Sequence, residues 1–169
     1  MDTDSTISNY AHLFGIACTC LRLFTVYGPR QRPDLAISKF AHKILAGDTV
    51  QKYGDGSTSR DYTYIDEIIS GIVAAIEYDK TSFEVFNLGG SATTTLQEMI
   101  QLVEQATGRT AKIEQLPDQP GDVPRTYANV GKAEELLGYR PETPIKEGIE
   151  KYVDWLKARL SLRNGSRPA

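Results

Sequence analysis

Cysteine is scarce in this chain, with two among 169 residues. Both, Cys18 and Cys20, fall two apart in one apolar run. On a strand they would share a face, a poor geometry for a mutual disulfide. Only His12 and His42 could join them at a metal, and neither stands at zinc-motif spacing, so no metal site is expected. The thiols read as small buried apolar side chains in a reducing cytoplasm. Basic blocks are also missing. With a net charge of −3 and no run of five like charges, nucleic acid is excluded as a partner. No apolar run approaches the roughly 18 residues of a membrane span, and the polar, acidic stretch 1–10 is neither a signal nor a transit peptide. Glycine is present, but no G-x-G-x-x-G is. Gly54-x-Gly56 comes nearest, with Ser59 in the third position and short strands rather than a helix after it, so no dinucleotide loop is expected.

What is present suits a globular chain. Apolar residues make up 40% and charged residues 24%, one ordinary domain's worth of sequence with enough to bury a core. Residues 7–14 read as a helix closed by Gly15. Residues 16–24 form a nearly continuous apolar run of β-formers, the pattern of a parallel-sheet strand buried on both faces. A Gly/Pro loop follows at 25–34, then an amphipathic helix at 36–46. Residues 50–53 and 60–65 read as two short strands around a Gly-Asp-Gly turn. A helix at 66–77 has Asp66 as its N-cap. Residues 83–88 are a second buried-type strand. Thr95 with Glu98 is a capping box opening a helix to Ala106. A strand at 111–116, a loop at 117–127, helices at 129–137 and 144–160, and a disordered tail at 161–169 complete the pattern. Strands alternate with helices, so the class is α/β. Only 16–24 and 83–88 look like parallel-sheet strands, too few for a doubly wound sheet.

Three segments carry chemistry if they converge. Residues 25–34 place Thr25, Tyr27, Arg30 and Arg32 after a strand, where open α/β sheets bind ligands. The arginines could clamp a carboxylate or phosphate, and a solvated loop reads equally well. Arg60 sits where a turn meets a strand, placed to pair with a diphosphate or, just as well, with Asp61 or Asp66 on the surface. In Gln119-Pro-Gly-Asp122, Asp122 could accept two bonds from a ribose diol. An ordinary Pro-Gly-Asp turn is the blander and stronger reading on spacing alone.

The segments LRLFTVYGPRQRPDLA (21–36), YGDGSTSRDYTYIDE (53–67), FNLG (86–89) and PGDVPRTYA (120–128) together resemble the extended short-chain dehydrogenase/reductase family of NAD-dependent epimerases and dehydratases. The UDP-glucuronate 4-epimerase branch is the most similar. The resemblance runs from about Tyr10 to Trp155. It implies the C-terminal part of a Rossmann-type fold, with 16–24 and 83–88 as late parallel strands beside a small α/β substrate-binding domain. Residues 1–160 would then be the sugar-nucleotide-binding portion. The family pattern assigns Arg60 to the nucleotide diphosphate, Asp122 to the ribose and Tyr53 to the uracil. Gln119 marks the glucuronate branch, and Thr25 with Arg32 take the sugar carboxylate. The implied ligand is UDP-glucuronate or UDP-galacturonate.

The departures from the family pattern are large. No tyrosine stands four residues before any lysine here, so the family's Tyr-x-x-x-Lys is missing, as are its cofactor loop and catalytic Ser/Thr. By register with Tyr10, the family lysine would fall just before Met1, and residues 1–8 resemble nothing in the family. No catalytic and no cofactor-binding residue is therefore expected. NAD belongs to the intact family, where it takes the C4 hydride, and is not expected on this chain alone. The expected partners are a UDP-sugar and a second copy or a complementary N-terminal fragment. The alternative is a free-standing sugar-nucleotide or partner-binding module without activity. A fragment of a related 4,6-dehydratase fits less well with Thr25, Arg32 and Gln119.

Overall fold

The computed structural model describes residues 3–165, the side chains through Leu162. The chain folds into two compact units. Unit 1 comprises Met1–Val26, Asp61–Ala92 and Tyr127–Glu142; unit 2 comprises Tyr27–Arg60, Thr93–Thr126 and Thr143–Ala169.

Unit 1 is built on a parallel strand pair. β1 (Cys18–Leu23) pairs with β6 (Phe83–Leu88) in continuous register from Cys18 opposite Phe83 to Leu23 opposite Leu88. The apolar runs that predicted these strands put Phe86 and Leu88 in the core with Ile68, Ala128, Val130, Ala133 and Tyr139. Three helices frame the pair: α1 (Thr3–Phe14), α3 (Ile65–Ile76) and α5 (Gly131–Leu137). β2 (Thr25–Tyr27) is bonded to β5 (Tyr62–Tyr64). Apolar side chains also remain outside the core. Tyr10, Leu13 and Phe14 on α1, Ile16 beside it, and Ile69, Val73 and Ile76 on α3 are all exposed. Spacings of three and four residues put each helical set on one stripe.

Unit 2 is a helical layer on short strands. β3 (Thr49–Tyr53) pairs in parallel with β8 (Lys112–Leu116), and β4 (Ser59–Arg60) pairs antiparallel with β7 (Thr94–Thr95). α2 (Ala36–Ala46), α4 (Leu96–Thr107) and α6 (Ile145–Gly165) supply a closed core that includes Ile37, Phe40, Val50, Met99, Ile100, Tyr152 and Leu156. At Gly148 a Cβ would overlap the buried Tyr27 ring, so only glycine lets α6 approach there. The Thr95–Glu98 capping box opens α4 in both directions, and Gly108 closes it in the left-handed conformation.

Several expectations need correction. The single strand expected at 60–65 is two, β4 and β5, and Ile65 already belongs to α3. β3 finds β8, β4 finds β7 and β5 finds β2, all distant in sequence. The β3–β8 pair is parallel, so parallel pairing is not confined to 16–24 and 83–88. Asp66 is not an N-cap: α3 begins at Ile65, and Asp66 lies in its first turn beside Glu67. α1 begins at Thr3, earlier than residue 7. α6 runs through the expected tail as far as Gly165; residues 166–169 of that tail lie outside the described residues.

Candidate functional site

Unit 2 brings three of the expected residues together. Arg60 ends β4 opposite Thr94. Its guanidinium donates to the Ser59 carbonyl at 2.8 Å and pairs with Asp122. Asp122 sits in a loop stitched to β4, where Ser59 N–H donates to the Pro124 carbonyl at 2.9 Å and Thr126 N–H donates to the Ser59 carbonyl at 3.1 Å. The Asp122 N–H turns back onto the Gln119 carbonyl at 3.1 Å, as the Pro-Gly-Asp sequence favours. Arg60 is mostly covered and Asp122 about half exposed. The pair thus sets a guanidinium and a carboxylate at one solvent-accessible point. A guanidinium so held offers fixed donors to an anion, and a carboxylate offers acceptors to hydroxyls.

Tyr53 ends β3 opposite Leu116, directly before the loop that carries Gln119. Its neighbour Gly54 donates to the Leu116 carbonyl at 3.0 Å. Tyr53 and Gln119 are both exposed. In the turn between β3 and β4, Asp55 accepts from Ser57 N–H at 2.8 Å, and the Ser57 side-chain and backbone bonds hold its carboxyl below the usual range.

Arg32 is not joined to this group by any bond. It stands on the exposed loop before α2, 74% exposed at its side chain, and pairs with Asp34 at 3.1 Å. Thr25 belongs to unit 1, where its N–H donates to the Asp61 carbonyl at 3.2 Å.

Two residues escaped the sequence reading. Asp61 was expected, if anything, as a surface partner of Arg60. It is fully buried. Its carboxylate accepts from Gly90 N–H at 2.6 Å, Ala128 N–H at 3.0 Å and the Thr63 hydroxyl at 3.2 Å. It therefore ties β5, the end of β6 and the segment before α5 into one node of unit 1. The signal was the alternation Asp61-Tyr-Thr-Tyr64, which puts Asp61 and Thr63 on one strand face. The second is Gln31, whose amide nitrogen and oxygen are buried without a partner.

The glycines nearest to a dinucleotide-binding pattern do not form such a loop. The nearest glycine pair, Gly54 and Gly56, lies between two strands. A Cβ at the first would overlap the Asp118 carboxylate, and one at the second would sit 3.2 Å from Gln97 Cβ. Both glycines pack against side chains rather than leave backbone open to a pyrophosphate. Among the described residues no cluster of potential metal ligands occurs, and no helix is long and apolar enough to cross a membrane.

A family model described as GDP-mannose 4,6 dehydratase matches residues 2–152. It begins inside the stretch 1–8 that was expected to lie outside the resemblance. An uncharacterized protein of Methanocaldococcus jannaschii is 46% identical over 146 residues, covering 86% of this chain and 44% of that one. A UDP-glucuronate 4-epimerase of Thermodesulfobacterium geofontis is 38% identical over 154 residues, covering 90% and 47%. A crystal structure of a UDP-glucuronic acid 4-epimerase mutant from Bacillus cereus, with UDP-4-deoxy-4-fluoro-glucuronic acid and NAD, superposes with a TM-score of 0.86 at 37% identity. It covers 92% of this chain and 50% of that one. The chain spans about half the length of the curated relatives it matches.

Proposed function

This chain belongs to the GDP-mannose 4,6 dehydratase family of the extended short-chain dehydrogenases/reductases, and we propose that it is the sugar-nucleotide-binding portion of an NAD-dependent UDP-hexuronate 4-epimerase. The observation that carries the proposal is the Arg60–Asp122 pair held between β4 and the Gln119–Thr126 loop. In this reading Arg60 leaves Asp122 for the nucleotide diphosphate, and Asp122 is freed to accept from the ribose diol. Tyr53 lines the base. Gln119 and Arg32 favour a hexuronate, Arg32 because a planar guanidinium matches a carboxylate in two parallel bonds. Thr25 is proposed as a hydroxyl serving the same class of ligand.

The proton and hydride machinery of the reaction is not assigned to any residue of this chain. The absence of Tyr-x-x-x-Lys and of a glycine loop from the sequence supports that reading. The exposed apolar stripes of α1 and α3 support a partner in trans, either a second copy or a complementary N-terminal fragment. Cys18 and Cys20 are free thiols, as suits a reducing cytoplasm.

Calorimetry with UDP, UDP-glucose and UDP-glucuronate tests the proposal. Arg60→Ala is expected to weaken all three by about 10- to 100-fold, the equivalent of one charge-assisted bond. Arg32→Ala is expected to erase only the preference for UDP-glucuronate over UDP-glucose; an equal loss for all three would refute the carboxylate assignment. The chain alone is expected to give no C4 inversion with UDP-glucuronate and NAD, and any inversion above an empty-vector control would refute the division of labour.

A further inference from the structure

The loop between β2 and α2 holds two costly features within two residues. Arg30 has a φ of +68°, a left-handed backbone that L side chains rarely adopt. Next to it, both polar atoms of the Gln31 carboxamide are buried with no hydrogen-bond partner. Buried amides are almost always paired, because an unpaired one forfeits its bonds to water. The loop is otherwise well anchored. Tyr27 is buried and its hydroxyl donates to the Ile145 carbonyl at 3.3 Å, while Gln31 N–H donates to the Gly28 carbonyl at 3.2 Å. Local disorder therefore does not account for the orphaned amide. Strain and unpaired polar groups concentrate where a ligand completes the structure.

We propose that Gln31 is a specificity-determining residue whose carboxamide pairs with a vicinal diol of the sugar nucleotide. The proposal rests on the reading of unit 2 as a sugar-nucleotide-binding unit. The chemistry is a match of two to two: the amide oxygen accepts from one hydroxyl and the amide nitrogen donates to the oxygen of its neighbour. The amide is covered in this structure, so the loop shifts when the ligand arrives. Relaxation of Arg30 out of the left-handed region favours that shift. Two diols are available, one on the ribose and one on the hexose. Asp122 is already assigned to the ribose, so Gln31 takes the hexose.

Gln31→Met keeps the length of the side chain and removes its polar atoms. Thermal unfolding of the unliganded variant is expected to show a Tm higher by about 2–4 °C, since an uncompensated burial has been relieved. Calorimetry is expected to show affinity for UDP-glucose and UDP-glucuronate reduced on the order of tenfold, the loss of one or two hydrogen bonds, with UDP unchanged. A lower Tm would mean that the amide serves the fold and would overturn the proposal. So would unchanged affinity for both UDP-sugars. A loss that extends equally to UDP would move the contact to the ribose and overturn the hexose assignment. If the wild-type chain binds none of the three, the reading of unit 2 fails, and the diol assignment with it. If it binds all three and Gln31→Met binds them alike, only the diol assignment fails.

Discussion

Unit 2 exposes its large apolar residues singly, at Tyr53, Ile113, Val123 and Leu162, whereas unit 1 exposes them in stripes along two helices. In unit 2, α2, α4 and α6 bury Ile44, Val103, Val153 and Leu156 almost completely, and the buried Tyr152 hydroxyl of α6 donates to Ser38 of α2 at 2.9 Å. In unit 1, Phe86 and Leu88 are equally buried, yet Ile76 on α3 is 78% exposed and Leu13 on α1 is 72% exposed. Among the described residues β1 has only β6 as a sheet neighbour. At about 25 cal/mol per Å² of apolar surface, each exposed Ile or Leu forgoes on the order of 1.5–3 kcal/mol that burial would supply. A unit that leaves two apolar stripes exposed leans correspondingly on its polar node. In unit 1 that node is Asp61.

The largest effect is expected at that node. Asp61→Ala leaves the Gly90 and Ala128 N–H groups without their acceptor, each worth about 1–3 kcal/mol when stranded, so a loss of about 2–6 kcal/mol is expected in urea denaturation. Hydrogen exchange at Gly90 and Ala128 should accelerate first. A cost within the error of the wild type would show that unit 1 is held by its apolar core after all. Leu156→Ala is the counterpart in unit 2 and is expected to cost about 2–5 kcal/mol, the range for emptying a buried leucine site. Together the two variants separate a polar anchor from an apolar one.

How far these differences were legible follows from the range of the forces involved. The strand at 83–88, the helix at 36–46 and the Thr95–Glu98 box match the structure because each is written in a local pattern: an apolar run, a 3.6-residue period, a side-chain cap. The partners of the short strands were not legible. Nothing near Thr49–Tyr53 specifies Lys112–Leu116, and the Gly-Asp-Gly turn marked where the strands end but not what they pair with. The meeting of Arg60 with Asp122 across 62 positions has the same character. The family resemblance named both as ligand contacts without pairing them, and spacing alone offered Arg60 only Asp61 or Asp66. Asp61 itself was misjudged because burial of a carboxylate depends on which backbone N–H groups the fold delivers to it, and sequence does not display that. Cys18 and Cys20 share the expected strand but are only partly buried, which corrects the expectation of buried side chains there.

A smaller effect on stability, with a large one on association, is expected from the exposed stripes. Ile69→Lys with Ile76→Lys should leave the unfolding free energy within about 0.5 kcal/mol per site, as exposed positions usually do. The same pair should reduce self-association seen by light scattering at micromolar concentration. If the wild-type chain is a clean monomer there, the stripes are not sticky and the contrast between the units narrows.

The smallest effect is a titration, and it can be read separately in each unit. In unit 2 the Thr95 N–H and hydroxyl donate to Glu98 at 2.8 and 2.9 Å and hold its carboxyl below the ordinary value of 4.5. In unit 1 the Lys132 ammonium does the same for Glu84. A carboxyl with a depressed folded pKa contributes stability that is fully present above its unfolded value and is lost as pH falls through the folded one. Both contributions are therefore intact at pH 7 and fade below about 4.5. Thr95→Ala removes the hydroxyl but not the backbone donor, so it should cost about 1 kcal/mol at neutral pH and keep part of the acid response. Glu98→Gln should flatten the response below pH 4.5 for amides of α4 while leaving those of β6 as they were. Glu84→Gln should do the reverse. Hydrogen exchange followed from pH 5 to pH 3, corrected for the intrinsic rate, distinguishes the two. If Glu98→Gln flattened both sets of amides equally, the chain would open as one cooperative body in acid, and the units would differ in packing but not in stability.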